Sequence, residues 1–207
     1  MAAALAPSCA ACGRPLDAPS GGCICPLCWG AVGPVPPLPW TDADITIGCA
    51  GGHYEGALRD IIHAFKYEGR RSLATPLARL MRKAGTALLH DADCVVPVPL
   101  HPLRRLTRGF NQAADLALAL ERPVVHALWR ARATPSQMAL PARSRRTNVR
   151  DAFILSPLID CAAAPIRDSI VVLIDDVRTT GATLNACATV LKAAGAREVR
   201  ALTIAIA

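Results

Sequence analysis

One stretch near the end of the chain, residues 171–184, decides the fold and reads VVLIDDVRTTGATL. Its first four residues are apolar and predict a buried strand, which ends at two carboxylates, Asp175 and Asp176. A loop of threonine and glycine follows and opens a helix from about Ala182 to Ala194, closed by Gly195. Ligands bind just outside the carboxyl ends of strands in open parallel sheets. The segment therefore predicts a ligand site where this strand ends.

The residue types in this segment suit a phosphorylated ribose. Backbone N–H groups at the start of a helix bind phosphate, and a glycine lets the chain approach it closely. The loop also offers three hydroxyls, and the carboxylates before it can accept hydrogen bonds from ribose hydroxyls or help hold Mg²⁺. Two alternatives are a receiver domain, whose paired acids come near the first strand rather than near the end of a chain, and a threonine-capped helix beside incidental acids. The agreement of strand, acid pair and glycine loop favours the ribose-phosphate interpretation.

The rest of the chain after about residue 40 alternates helices and strands. Apolar residues at helical spacing predict one helix through Leu58, Ile61, Ile62 and Phe65, and a second through Leu77, Leu80 and Met81. Further predicted elements are a strand at Val95 and Val96, a helix from Asn111 to Leu120, a weak strand at Val124 and Val125, a long loop from Arg130 to Arg150, and a last strand from Val199 to Ile206. This order predicts an α/β fold with a mostly parallel sheet covered by helices.

Cysteines crowd the first 28 positions. Cys9 and Cys12 form one Cys-x-x-Cys pair, Cys25 and Cys28 form another, and twelve residues separate the pairs. This spacing predicts one structural Zn²⁺ held by four thiolates, with Cys23 as an alternative to Cys25. A redox pair would need a βαβ context that this segment lacks. We expect a zinc-ribbon module with a proline-rich linker at residues 1–40 and the main domain at residues 41–207.

Positive charge is concentrated in the middle of the chain. The net charge is +7, and residues 101–150 alone hold ten arginines against two acids. Arginine suits phosphate oxygens, although codon bias in a GC-rich genome would also favour arginine over lysine. No apolar run approaches the ~18 residues that a membrane-spanning helix needs, and residues 1–7 lack the basic start of a secretory signal. We therefore expect a cytoplasmic protein without membrane association.

Several motifs together resemble the ComF (ComFC/GntX-like) family, within the type I phosphoribosyltransferase fold. The segment at residues 171–184 resembles the signature of that fold. The other motifs are the paired cysteines, Ile-Ile-His-Ala-Phe-Lys-Tyr at 61–67 with Gly69, Val-Pro-Val-Pro-Leu-His-Pro at 96–102, and Arg-Gly-Phe-Asn-Gln at 108–112. Single residues at Arg132, Thr134, Gln137, Arg145, Asn148 and Phe153 extend the resemblance.

The resemblance implies a role for each part of the site. Asp175 and Asp176 are expected to face the ribose as the catalytic acids. The 5′-phosphate is expected on Thr179, Thr180, Gly181, Ala182 and Thr183, and the pyrophosphate on His101, Arg104, Arg105 and Arg108. Arg130 to Arg150 would be a mobile loop that closes over the leaving group. His63 and Lys66 fall where this fold often places the hood over the acceptor, although a structural role suits them equally well.

Two functions of different class follow. The first is a phosphoribosyltransferase that uses phosphoribosyl pyrophosphate and Mg²⁺ on an unidentified acceptor. The second is a non-catalytic ribose-phosphate sensor that binds single-stranded DNA and DNA-uptake proteins during transformation, as the resemblance to competence proteins implies. Few aromatic residues interleave the basic stretch, so stacking of bases is not favoured there. Salt-sensitive contacts to the nucleic-acid backbone remain open.

Overall fold

A computed structural model describes residues 7–17, 22–32, 37–100, 109–131, 152–157 and 166–207. The strands are β1 Leu38–Asp42, β2 Ile45–Ala50, β3 Cys94–Pro97, β4 Leu128–Arg130, β5 Phe153–Leu155, β6 Ile170–Arg178 and β7 Glu198–Ile206. The helices are α1 Pro26–Val32, α2 Gly56–Tyr67, α3 Ala74–Ala84, α4 Thr86–His90, α5 Gln112–Ala119 and α6 Ala182–Ala193, with a 3-10 turn at Arg71–Leu73. No helix among these residues is both long and apolar enough to cross a membrane.

The main sheet has five strands in the order β1-β2-β7-β6-β3. Strands β2, β7, β6 and β3 are mutually parallel, and β1 joins the edge antiparallel to β2. Strands β4 and β5 form a separate antiparallel pair. Parallel neighbours need helical crossovers, which cover both faces of the sheet. The predicted α/β fold with a mostly parallel sheet is confirmed.

The apolar run of β6 explains why both faces are covered. Successive residues of a strand point to opposite faces. Val172 and Ile174 accordingly pack with the buried residues of α2, α3 and α5, whereas Val171 and Leu173 pack with those of α6. All four side chains are completely buried. The strand is therefore fixed in register, and the acids that follow it are placed at a defined point on the edge of the sheet.

Several predicted boundaries differ from the structure. β6 continues through the acid pair to Arg178 instead of ending before it. Part of the predicted linker is strand, because β1 begins at Leu38, and its edge position tolerates Pro39. Val124 forms only an isolated bridge with Val95. Strands β1, β2, β4 and β5 were not predicted. β1 also crosses position 40, so the division into residues 1–40 and 41–207 remains a prediction.

The N-terminal segment packs against α2 and the turn after it. Ala10 and Val32 belong to the same buried cluster as Phe65 of α2. Arg70 donates from Nη1 to the carbonyl of Ser8 at 3.1 Å. These contacts attach the cysteine-rich segment to the helical face of the main domain.

Candidate functional site

Asp175 and Asp176 lie near the carboxyl end of β6 and face different surroundings. The Oδ1 atom of Asp176 is 2.9 Å from Nζ of Lys66, in the last turn of α2, and the two side chains are only 15% and 13% exposed. Burial, together with the nearby charge of Asp175, raises the pKa of the Cys187 thiol on α6. Asp175 follows Val171 and Leu173 at alternate positions of β6, so it lies on the face of the sheet that α6 covers. Its Oδ1 accepts a hydrogen bond from the backbone N–H of Asp176 at 2.9 Å.

The two acids also differ in charge state. Burial and the neighbouring Asp176 carboxylate raise the pKa of Asp175 to about 7. Burial opposes the charge of Lys66, but attraction to Asp176 and Asp175 outweighs it and raises the pKa of the ammonium. The site therefore holds one ion pair, Lys66 with Asp176, beside an Asp175 carboxyl group that keeps its proton to higher pH than an exposed aspartate does.

The loop after β6 provides a cradle of backbone donors. Gly181 precedes α6 with a φ of 76°, in the left-handed region that suits glycine. The N–H of Ala182 donates to Oγ1 of Thr180 at 3.4 Å. Within the described parts of the chain, no acceptor pairs with the N–H groups of Thr179, Thr180 or Gly181. Three backbone donors at the start of a helix are suited to an anion such as phosphate.

A wall from β1 stands beside this loop, and the sequence analysis missed it. The guanidinium carbon of Arg178 lies 4.4 Å from the ring centroid of Trp40, and its Nη2 is 3.8 Å from Oδ2 of Asp42. A Cβ atom at Gly181 would lie 2.9 Å from the same Asp42 oxygen. The buried Nε of Arg178 has no acceptor among the described residues. The side chains of β1 thus hold the guanidinium of Arg178, whose charge faces Asp42, beside the neutral donors of the loop.

The other predicted site residues fall into three groups. Ala182 and Thr183 form the first turn of α6, next to the cradle. The predicted pyrophosphate residues lie outside the described residues: His101, Arg104, Arg105 and Arg108. His63 stacks on Tyr67 with ring centroids 4.8 Å apart. The sequence analysis left the role of Lys66 undecided, because its partner, Asp176, lies 110 positions further along the chain.

The motif at residues 108–112 has a clear structural part. Asn111 caps α5, with its Oδ1 accepting from the N–H of Ala113 at 3.2 Å, and its Nδ2 donates to the carbonyl of Val98 at 3.1 Å. Phe110 is buried, with its ring centroid 5.6 Å from that of Phe65. These contacts fix both ends of the predicted pyrophosphate loop, which begins after Val98.

The sulfur atoms of Cys9, Cys12, Cys25 and Cys28 all lie within 4.8 Å of one another. Those of Cys12 and Cys25 are 3.8 Å apart, close to the ~3.8 Å edge of a tetrahedron with Zn–S bonds of about 2.3 Å. The Sγ of Cys23 instead accepts a hydrogen bond from Ser72 at 3.5 Å. The cluster therefore contains Cys25, as predicted first, and not its alternative Cys23.

The electrostatics of this cluster also suit a cation. Burial opposes ionisation of Cys9, but hydrogen bonds from backbone N–H groups, that of Cys25 first, lower its pKa to about 6. Burial and the neighbouring sulfurs raise the pKa of Cys28 to about 12. A cation bound among the sulfurs would offset the repulsion that raises the pKa of Cys28. The cysteine cluster fits Zn²⁺.

Comparison with known proteins places this site in a family. Residues 106–206 match the family described as Phosphoribosyl transferase domain, and this range includes the acid pair and the loop. The chain is 34% identical to Competence protein F of Haemophilus influenzae over 159 residues, which span 72% of this chain and 68% of that protein. It is 35% identical to DNA utilization protein YhgH of Escherichia coli over 158 residues, which span 71% and 66%.

Two further matches, one relative and one solved structure, are more distant. Competence protein ComFC of Streptococcus pneumoniae is 28% identical over 157 residues, which span 73% of this chain and 64% of that protein. The chain thus matches about two thirds of the length of these relatives. Among solved structures, the allosteric regulatory enzyme of purine biosynthesis overlaps 63% of this chain and 26% of its own, with 22% identity and a TM-score of 0.40. On its 34% identity to Competence protein F and the match of residues 106–206, this protein belongs to the competence protein F family and carries a phosphoribosyltransferase domain.

Proposed function

We propose that this chain binds phosphoribosyl pyrophosphate together with Mg²⁺ at the end of β6. The observation that supports this most directly is the position of the acid pair beside a loop whose N–H groups have no acceptor among the described residues. A phosphorylated ribose presents an anion at one end and two adjacent hydroxyls at the other. The cradle at residues 179–181 suits the phosphate, and the carboxylates of Asp175 and Asp176 suit the hydroxyls.

The remaining part of the ligand is assigned by the family resemblance. His101, Arg104, Arg105 and Arg108 would bind the pyrophosphate, and their positive charges suit it. Mg²⁺ prefers oxygen ligands, which the pyrophosphate itself offers, while Asp175 and Asp176 would stay with the ribose hydroxyls. When bound, the ion would neutralise charge on the pyrophosphate. The cysteine cluster would hold a structural Zn²⁺ that keeps the N-terminal module folded on α2.

Transfer of the phosphoribosyl group to an acceptor is the reaction that such a site supports. The bond between C1 of the ribose and the pyrophosphate oxygen breaks, and the pyrophosphate leaves with the electron pair. A nucleophile of the acceptor then forms the new bond to C1. Asp175 and Asp176 would hold the ribose hydroxyls and, where ionised, stabilise the positive charge that develops on the ring. The arginines of residues 130–150 would stabilise the departing pyrophosphate.

A role in DNA uptake in the cytoplasm is the second part of the proposal. It is supported by the names of the relatives, which refer to competence and DNA utilization, and by the ten arginines between residues 101 and 150. Binding of single-stranded DNA through its phosphates would weaken steeply as salt is raised. Fluorescence anisotropy with a labelled oligonucleotide, repeated at several salt concentrations, tests this part. If the anisotropy does not rise when protein is added, or if the rise does not depend on salt, DNA binding through the phosphates is excluded.

Calorimetry tests the ligand. Phosphoribosyl pyrophosphate with Mg²⁺ is titrated into zinc-loaded protein, into a variant with Asp175→Asn and Asp176→Asn, and into a control with Asp60→Asn. Asp60 is a surface acid of α2 and, among the residues that the structure describes, pairs with Arg59 alone. We expect the double variant alone to lose binding. No heat from folded wild type would rule out the ribose-phosphate site, and equal binding by the double variant would exclude the acid pair from it.

A further inference from the structure

Lys66 places a cation where the buried face of α2 reaches the acid pair. It follows Ile62 by four residues, so both lie on the same face of the helix, and Ile62 is completely buried. A lysine on such a face is costly unless its charge is paired. The pairing is the 2.9 Å contact with Asp176, and the ring of Tyr54 lies 5.8 Å from the ammonium. The lysine is therefore built into the site.

This contact occupies one of the two oxygens of Asp176. Oδ1 faces Lys66, which leaves Oδ2 to accept from a ligand. A carboxylate that already holds an ammonium is a poor site for a divalent cation, since the two cations would lie within a few ångströms and repel each other. A hydroxyl adds no charge and meets no such repulsion. The pairing thus favours a sugar diol over a metal ion at Asp176.

We propose that Lys66 is a positioning residue that makes Asp176 an acceptor for the ribose diol, so that a ribose phosphate binds here without a divalent cation. The inference rests on the proposed function and refines it, because Mg²⁺ is then required for the pyrophosphate part of the ligand and not for the ribose. The class of ligand is a phosphorylated pentose with a free vicinal diol. Lys66 acts through Asp176 and takes no part in bond formation.

Ribose 5-phosphate is the probe, because it has the diol and the phosphate but no pyrophosphate. Calorimetry measures its binding to zinc-loaded protein in EDTA and in Mg²⁺. The buffers are exchanged so that Mg²⁺ is removed while the zinc stays bound. The variants are Lys66→Met, Lys66→Arg and Arg59→Met. Arg59 lies on α2 with its side chain 60% exposed, so the last variant removes a cation from the same helix away from the site.

We expect wild type and Arg59→Met to bind equally well with and without Mg²⁺. Lys66→Met should bind at least about tenfold more weakly in EDTA, as expected when a charged hydrogen bond is lost. Mg²⁺ should recover part of that loss, since the vacated carboxylate can then take the metal ion. Lys66→Arg retains the charge and should therefore keep more of the affinity for ribose 5-phosphate than Lys66→Met does. A purely structural lysine would not change the Mg²⁺ dependence.

A double-mutant cycle with Asp176→Asn separates the pair from its surroundings. If Lys66 acts through Asp176, the double variant binds no more weakly than the weaker single variant. Additive losses overturn the proposal, and so does Lys66→Met binding like wild type in EDTA. Should Lys66→Met fail to fold, Lys66→Gln with Asp176→Asn completes the cycle, because glutamine also removes the charge. Wild type that binds phosphoribosyl pyrophosphate with Mg²⁺ but not ribose 5-phosphate overturns this inference alone, whereas wild type that binds neither ligand refutes the proposed function as well.

Discussion

Replacement of Gly181 by alanine tests the geometry of the phosphate loop. The residue has a φ of 76°, which costs an L-amino acid roughly 1–2 kcal/mol. The new methyl group would lie 2.9 Å from Oδ2 of Asp42 and 3.3 Å from Nη2 of Arg178, so one of them must move. For a chain of this size, 1 kcal/mol changes Tm by about 2–4 °C. We therefore expect Tm to fall by about 2–8 °C and ribose-phosphate binding to be lost.

The matched control is Gly195→Ala, at the other end of α6. Gly195 also has a positive φ, of 95°, but its Cβ would meet only Arg167, at an ordinary 3.5 Å. The control should lose similar stability and retain ligand binding. Differential scanning fluorimetry and calorimetry measure the two effects. Neutral surface changes alter the free energy of unfolding by no more than about 0.5 kcal/mol. If the free energy of unfolding of Gly181→Ala lies within that range of the wild-type value, the described loop geometry is wrong. The same conclusion holds if Gly181→Ala binds ribose 5-phosphate normally.

Three further predictions concern metal and pH. Cys28→Ser should lose bound zinc and lower Tm, whereas Cys23→Ser should keep both, as zinc analysis and thermal unfolding would show; equal zinc loss would contradict the assignment of the cluster. The folded pKa of Asp91 is lowered to about 2 by Arg200, so its stabilising effect is present above pH ~4 and is lost as pH falls towards 2. Urea midpoints of Asp91→Asn should therefore lie below wild type at pH 7 and converge with it near pH 2; parallel curves would refute this. The pKa of Asp175 is raised to about 7, so unliganded protein should lose stability as pH rises from ~4 to 7. Asp175→Asn should remove that loss. If stability falls with pH as steeply in Asp175→Asn as in wild type, the prediction is contradicted.

The sequence was most informative where local pattern and tertiary structure agree. The four apolar residues before Asp175 predicted a buried strand because both faces of β6 are in fact covered. The spacing of Leu58, Ile61, Ile62 and Phe65 predicted α2 for the same reason. Cys25 and Cys28 were recognised because a metal site fixes ligand spacing along the chain. In each case the signal lies within a few residues.

The missed features depend on contacts between distant segments. β1 carries Pro39 and packs at an edge, so neither propensity nor periodicity marks it as a strand. Its wall beside the loop, Trp40 and Asp42, could not be anticipated without it. Lys66 did leave a signal, since a cation on an apolar helical face requires a partner. The identity of that partner, Asp176, follows only from the folded sheet.

The order of the strands has a consequence for how the protein is made. β7 occupies the middle of the five-stranded sheet, between β2 and β6, yet it is the last element of the described chain. Ribosomes deliver a chain from its N-terminus, so β2 (Ile45–Ala50) emerges long before β7 (Glu198–Ile206), and β6 (Ile170–Arg178) emerges shortly before it. Until then each has an open edge, and the parallel sheet cannot close. The nascent chain therefore acquires its ligand site in one late step, and a ligand can stabilise only chains that have completed β7.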